Sequence, residues 1–247
     1  MSKIIALDFD GVICDSIDEC LLVSYHAFYG KSKIDKIDFS DIQEDLVNDF
    51  KKSRYIVGPA KDFYFLWKSI IEYRKSSKEV INTFVKFKKL EANHELPFAK
   101  RFYLLRDQLK KKYYSEWVLL NPFYREIKNL LIKFSDRHNL FIVTAKDTDS
   151  VSDLLQANNV DIKREQIYGR EISLDKRNLF RKMITDRDLS QKDIIFIDDN
   201  ISNLIDVNEI GISCFLATWG YNSDLDKNQA KKNNITPLKL SDLQSIL

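Results

Sequence analysis

Residues Ile4 to Leu7 form a short apolar run, mostly branched, that stops abruptly at Asp8-Phe9-Asp10-Gly11. A run of that length and composition fits a strand buried on both faces of a parallel sheet. Side chains alternate along an extended chain, so Asp8 and Asp10 leave the strand on one side while Phe9 points back into the protein. Two carboxylates this close repel each other unless positive charge lies between them, and a divalent cation held by oxygen ligands supplies it. The plainer alternative is a strand end that turns at Gly11 with two ordinary acids beside it.

The same texture returns in the second half of the chain. Strands are expected at Leu140–Thr144, Gln166–Gly169, Ile194–Ile197 and Ile212–Ala217, with helices between them from Pro122 to Ser135, Thr148 to Asn158 and Asp175 to Ile184. Strands alternating with helices predict an α/β fold with a parallel sheet. Ligands of such sheets sit beyond the carboxyl ends of the strands, where Asp8, Asp10, Thr144, Asp198 and Asp199 all fall. Between the first strand and Pro122 no strand is expected. Helical patterns run from Ser16 to Gly30, Asp41 to Ser53, Asp62 to Tyr73, Lys78 to Leu90 and Pro97 to Trp117, interrupted by a polar connection over 31–40 and by Gly58-Pro59. The expected division is a core of residues 1–15 and 120–247 with a helical insert of 16–119, hinged near Gly11–Ser16 and Ser115–Asn121. After Gly220 the chain is polar until a last short helix within LKLSDLQSIL.

At 247 residues with 44% hydrophobic and 31% charged side chains, the composition is that of a folded globular chain and excludes a disordered one. No stretch has the apolar length of a membrane span, and Met1-Ser2-Lys3 runs straight into the first strand, so a cytoplasmic protein is expected. Cys14, Cys20 and Cys214 show no paired spacing, and His26, His94 and His138 are scattered, which argues against a disulfide framework and a zinc cluster. Residues 51–115 carry 17 basic and 6 acidic side chains, a net of +11 within a chain whose overall charge is +2. The insert is basic and its flanks are acidic. Helix surfaces carry lysine freely, but such an excess would also steer an anionic substrate. The near-neutral total and the lack of a recognised binding motif argue against a nucleic-acid partner.

Taken together, DFDGVICD (Asp8–Asp15), IVTAK (Ile142–Lys146), Lys176 at a helix start and FIDDNISNLIDVNEIG (Phe196–Gly211) resemble, in order and spacing, the four-part signature of the haloacid dehalogenase superfamily. The likeness is to its phosphoglycolate phosphatase and β-phosphoglucomutase-like branch. It implies a Rossmann-like parallel sheet as core with an inserted α-helical cap domain, acting on small phosphorylated metabolites with Mg²⁺. In the family the dehalogenases lack the second aspartate, so Asp10 favours phosphoryl transfer. The chemistry agrees: Asp8 is the natural nucleophile, forming an aspartyl phosphate, and Asp10 can protonate the leaving group and later activate water. Asp198 and Asp199 would complete the oxygen shell of Mg²⁺ with Asp8 and the backbone carbonyl of Asp10, and which of the two ligates directly stays open. Many relatives carry GDxxxD here; in this chain Asn203 takes the place of the later acid.

Thr144, with Ala145 beside it, and Lys176 would hold the phosphoryl oxygens; Arg177, Arg170 and Lys146 are alternatives to Lys176. In the insert, Arg54 and Lys61 flank the Gly-Pro break and are the candidates to face substrate. Phe63, Phe65, Trp67, Phe84, Phe87 and Phe102 read as bundle core. The rivals are a phosphomutase, a phosphonate hydrolase, a phosphatase of nucleotide or nucleic-acid ends, and a binding protein that kept the fold. The last is disfavoured because a scaffold has no need of four carboxylates facing one cavity.

Overall fold

Ile4 to Leu7 form β1, in the middle of a sheet, in a computed structural model that describes residues 3–72, 77–134 and 139–246. Past a tight turn the chain enters α1 (Ile17–Phe28), α2 (Glu44–Ser53), α3 (Phe63–Glu72), α4 (Ser77–Leu90), α5 (Glu95–Lys112) and α6 (Tyr114–Leu119). From Pro122 it alternates: α7 (Arg125–Phe134), β2 (Leu140–Val143), α8 (Thr148–Ala157), β3 (Ile167–Tyr168), α9 (Lys176–Arg187), β4 (Ile194–Asp198), α10 (Ile201–Asn208), β5 (Ser213–Ala217), α11 (Asp224–Lys232) and β6 (Thr236–Leu238). Two compact units result, Met1–Asp15 with Pro122–Leu247, and Ser16–Asn121. The helix ends expected at Tyr73 and Ser135 lie outside the described residues.

The first unit is a Rossmann-like sheet of six parallel strands in the order β3-β2-β1-β4-β5-β6. Leu7 pairs with Ile142 on one side and Ile197 on the other, so Asp8 comes level with Asp198 at the end of β4 and within one residue of Thr144, which follows β2, along one edge. Ala6, Phe141, Val143, Phe196 and Leu216 pack on one face with Leu179, Phe180, Met183 and Leu204 from α9 and α10. Alternation turns Ile5 and Leu7 to the opposite face, where both are also buried.

Two elements escape the sequence pattern. β6 is a three-residue edge strand containing Pro237, which an edge tolerates because no neighbour needs its missing N–H. α11 buries only Ala230 and has no apolar stripe to read; it is held by a capping box, Ser223 accepting from the Asp226 N–H while the Asp226 carboxylate accepts from the Ser223 N–H. The helix expected over 97–117 is divided at Tyr113, whose backbone leaves the helical region (φ −133°, ψ 52°), and Trp117 beyond the break is fully buried.

The helical unit closes over its aromatic side chains. Phe50 stacks on Phe63 and Trp67 with ring centres 5.5 and 5.0 Å apart, and Phe63 stacks on Phe102 at 5.7 Å, so the aromatic stripe is bundle core. Among these rings α1 and α5 share a buried ion pair: Arg106 donates from Nε and Nη2 to the two oxygens of Glu19 at 2.6 and 2.8 Å, its guanidinium 4.7 Å from the Phe102 ring centre. Arg106→Ala strands a buried carboxylate and is expected to destabilise the protein by about 3–5 kcal/mol, seen as a lower urea midpoint. An unchanged midpoint would show that the pair is not integral to the bundle.

Candidate active site

Beyond β1 the backbone folds back on itself. The N–H groups of Ile13 and Cys14 both donate to Phe9 O at 2.9 Å, and Gly11 N–H donates to Cys14 O at 2.7 Å. Gly11 has φ +85°, and a Cβ there would fall on the Asp199 carboxylate, so glycine is required both by conformation and by space. Asp8 thereby precedes the turn and Asp10 lies within it, while Gly11 of the same turn packs directly against Asp199 at the end of β4.

That end supplies Asp198 and Asp199. Asn200 caps α10 by accepting from the N–H groups of Ser202 and Asn203. Asp198 Oδ1 accepts from Asn200 N–H at 2.8 Å, and Oδ2 accepts from the Asn203 side-chain amide at 3.0 Å. Asn203 thus serves as a donor that orients Asp198. Asp199 Oδ2 accepts from Tyr221 N–H at 2.5 Å. Ligand oxygens of Asp8, Asp198 and Asp199 all lie within 4.8 Å of one another, and the three residues are buried.

Asp175 caps α9 through the Arg177 N–H, which sets Lys176 at the first turn with its side chain directed inward. Its ammonium donates to Asp8 Oδ1 at 2.7 Å and to Val143 O, and lies 3.6 Å from Asp198 Oδ2. Burial lifts Asp8 from 3.8 to about 7, with Asp198 and Asp10 adding to the rise and Lys176 opposing it. Burial pulls Lys176 down, but Asp8 and Asp198 outweigh it and hold its pKa above the ordinary value. Fully ionised, the three buried carboxylates around one buried ammonium would carry an excess of two negative charges. An all-oxygen donor set with that excess fits a divalent cation of the Mg²⁺ type.

Thr144 is buried at the end of β2, its N–H donating to Tyr168 O and its Oγ1 accepting from Lys146 N–H at 3.1 Å. Ala145 lies between them, half-buried. Lys146 is itself buried and donates to Asp10 Oδ1 at 3.1 Å. The two inward lysines therefore divide the two aspartates of the first motif, Lys176 taking Asp8 and Lys146 taking Asp10.

The family model for haloacid dehalogenase-like hydrolases matches residues 64–217, more than half of the chain. The chain belongs to the haloacid dehalogenase-like hydrolase family. The match takes in Thr144, Lys176, Asp198 and Asp199 and leaves β1 outside, so Asp8 and Asp10 join the hydrolase's site on the sheet register. Solved structures similar to the hydrolase over nearly the whole chain share its fold. A haloacid dehalogenase-like family hydrolase from Streptococcus pneumoniae is 18% identical with a TM-score of 0.61, over 99% of this chain and 97% of that one. A presumed phosphoglycolate phosphatase from Lactobacillus delbrueckii subsp. bulgaricus is 17% identical with a TM-score of 0.64, over 100% and 99%. A presumed HAD-hydrolase from Bacillus subtilis bound to magnesium is 16% identical with a TM-score of 0.55, over 100% and 98%. No curated protein matches the chain.

Of the residues singled out in the hydrolase's sequence, Asp8, Asp10, Thr144, Ala145, Lys176, Asp198 and Asp199 come together at one edge of the sheet. Arg177 is committed to its own cap, Asp175, at 2.9 Å. Arg54 and Lys61 belong to the helical unit. There Arg54 is buried, donates to Val57 O at 3.1 Å and lies 5.1 Å from the Phe63 ring centre. Lys61 forms an ion pair with Glu95. Sequence reasoning missed the loop after β5, whose Trp219-Gly220-Tyr221 reaches both Asp199 and the turn after β1. Its signal was a glycine between two aromatics at the carboxyl end of a strand.

Among the described residues no helix is long and apolar enough to cross a membrane.

Proposed function

We propose that this hydrolase is a Mg²⁺-dependent phosphatase of a small phosphorylated metabolite, working through an aspartyl phosphate on Asp8. The observation that carries the reading is the buried meeting of Asp8 with Asp198, Asp199 and Lys176 at the ends of β1 and β4. Asp8, held by Lys176 at 2.7 Å, attacks phosphorus, and the bond to the leaving alkoxide breaks. Asp10, two residues on, gives the alkoxide its proton and later takes one from the water that attacks the aspartyl phosphate, releasing phosphate. Thr144, with Ala145 beside it, and Lys176 bind the phosphoryl oxygens. Asp8, Asp199, Asp198 and the Asp10 carbonyl would hold Mg²⁺, which when bound neutralises charge on the phosphoryl group. Asp198 accepts from Asn200 and Asn203 and Asp199 from Tyr221, so both acids are held in place at the metal edge.

In this proposal the helical unit is the cap that selects the substrate, and phosphoglycolate phosphatases among the neighbours' names support a small phosphomonoester. Arg54 and Lys61 are the charges the cap offers; to meet a substrate Lys61 would leave Glu95 and Arg54 would leave Val57 O. Phosphate release from phosphorylated sugars, glycolate, nucleotides and short oligonucleotides, with and without Mg²⁺, tests the reading. Turnover that requires Mg²⁺ and falls by a factor of about 10²–10⁴ in Asp10→Asn is expected. Metal-independent turnover, or none by a folded protein on any of these, would count against it.

A further inference from the structure

The loop after β5 makes three separate contacts with the catalytic edge. Trp219 donates from its indole N–H to Val12 O at 3.1 Å. Tyr221 donates its backbone N–H to Asp199 Oδ2 at 2.5 Å and its phenol to Asp15 Oδ1 at 2.7 Å. Between them Gly220 lies so close that an added Cβ would run into Gly11 O and the Asp199 side chain. Asp15 is the last residue before the helical unit. Its N–H donates to Pro122 O at 2.8 Å, and Tyr124 N–H donates to Ile13 O at 3.0 Å, so the outgoing and returning strands of the connection pair with each other. The segment they share with Asp10 is short: Asp10 bridges to Cys14, and Cys14 to Phe123. We propose that Trp219, Gly220 and Tyr221 are positioning residues that fix Asp199 and the Asp10–Asp15 turn to one another. The two sides of the site then keep one geometry. None of the three residues has a part in the chemistry itself; they act through Asp199, Val12 and Asp15.

The inference rests on Asp199 as a metal-side carboxylate and Asp10 as acid and base. It is tested by Mg²⁺ titration calorimetry alongside kcat and KM for the best phosphomonoester found. Gly220→Ala displaces Asp199 and is expected to weaken Mg²⁺ binding at least tenfold. Tyr221→Phe keeps the backbone N–H and loses the phenol bond to Asp15; Mg²⁺ affinity and KM should hold within twofold while kcat falls about tenfold. Asp15→Ala should fall equally, Asp15→Asn, which still accepts from the phenol, should retain most of the rate, and Tyr221→Phe with Asp15→Ala should be no worse than either alone. Multiplying losses in the double variant, or variants indistinguishable from a wild type that binds Mg²⁺ and turns over, would overturn the proposal alone. A wild type that does neither would overturn the phosphatase reading and this inference with it.

Discussion

Asp8→Asn is expected to abolish phosphate release, by a factor on the order of 10⁴ or more, because an amide cannot attack phosphorus and no other carboxylate stands where Asp8 does. The replacement is nearly isosteric, and its carbonyl can still accept from Lys176, so the fold should survive. Stability supplies an independent readout. Burial first, then Asp198, lifts Asp8 to about 7 in the folded protein against 3.8 unfolded. Between those values the folded state binds more protons than the unfolded one, so this group's contribution to stability declines as pH rises from about 4 to 7 and is flat above. Metal-free wild type should therefore lose melting temperature across that window more steeply than Asp8→Asn. Retained turnover in the variant would remove Asp8 from the mechanism, and parallel melting curves would show that Asp8 is not held against its charge.

Lys176→Met should lower turnover by about 10²–10³, the usual loss when one preorganised charge is removed from a developing anion. It should also destabilise the metal-free protein by about 3–5 kcal/mol, since Asp8 and Asp198 lose the ammonium they share. Because Mg²⁺ would compensate the same carboxylates, its addition should raise the melting temperature of the variant more than that of the wild type. A variant as stable as wild type without metal would mean that the carboxylates are compensated elsewhere, and Lys176 would lose its place as the central cation.

The parallel sheet was legible because strands buried on both faces must be continuously apolar. Ile4–Leu7, Leu140–Val143 and Ile194–Ile197 announce themselves, and the acids at their ends follow from strand geometry. β6 and α11 were not legible, since an edge strand with Pro237 and a helix burying only Ala230 leave no periodicity; caps and edges hold them, not an apolar face. The sequence puts Lys176 first, at a helix start, with Arg177, Arg170 and Lys146 as alternatives that residue types alone do not remove. Only the register of β1 against β2, with Asp175 capping α9, assigns Lys176 to Asp8 and Lys146 to Asp10. The Trp219-Gly220-Tyr221 loop was hidden for a similar reason: two of its contacts run through backbone atoms, which residue types do not display.

The most direct test of the account needs no knowledge of the substrate. Beryllium trifluoride takes the shape of a phosphoryl group on a carboxylate, and fluorine NMR reports its capture. Bound resonances that form with Mg²⁺, vanish on chelation and are missing in Asp8→Asn are the predicted result. No bound signal from the wild type with Mg²⁺, or one that persists in Asp8→Asn, would contradict an aspartyl phosphate at Asp8.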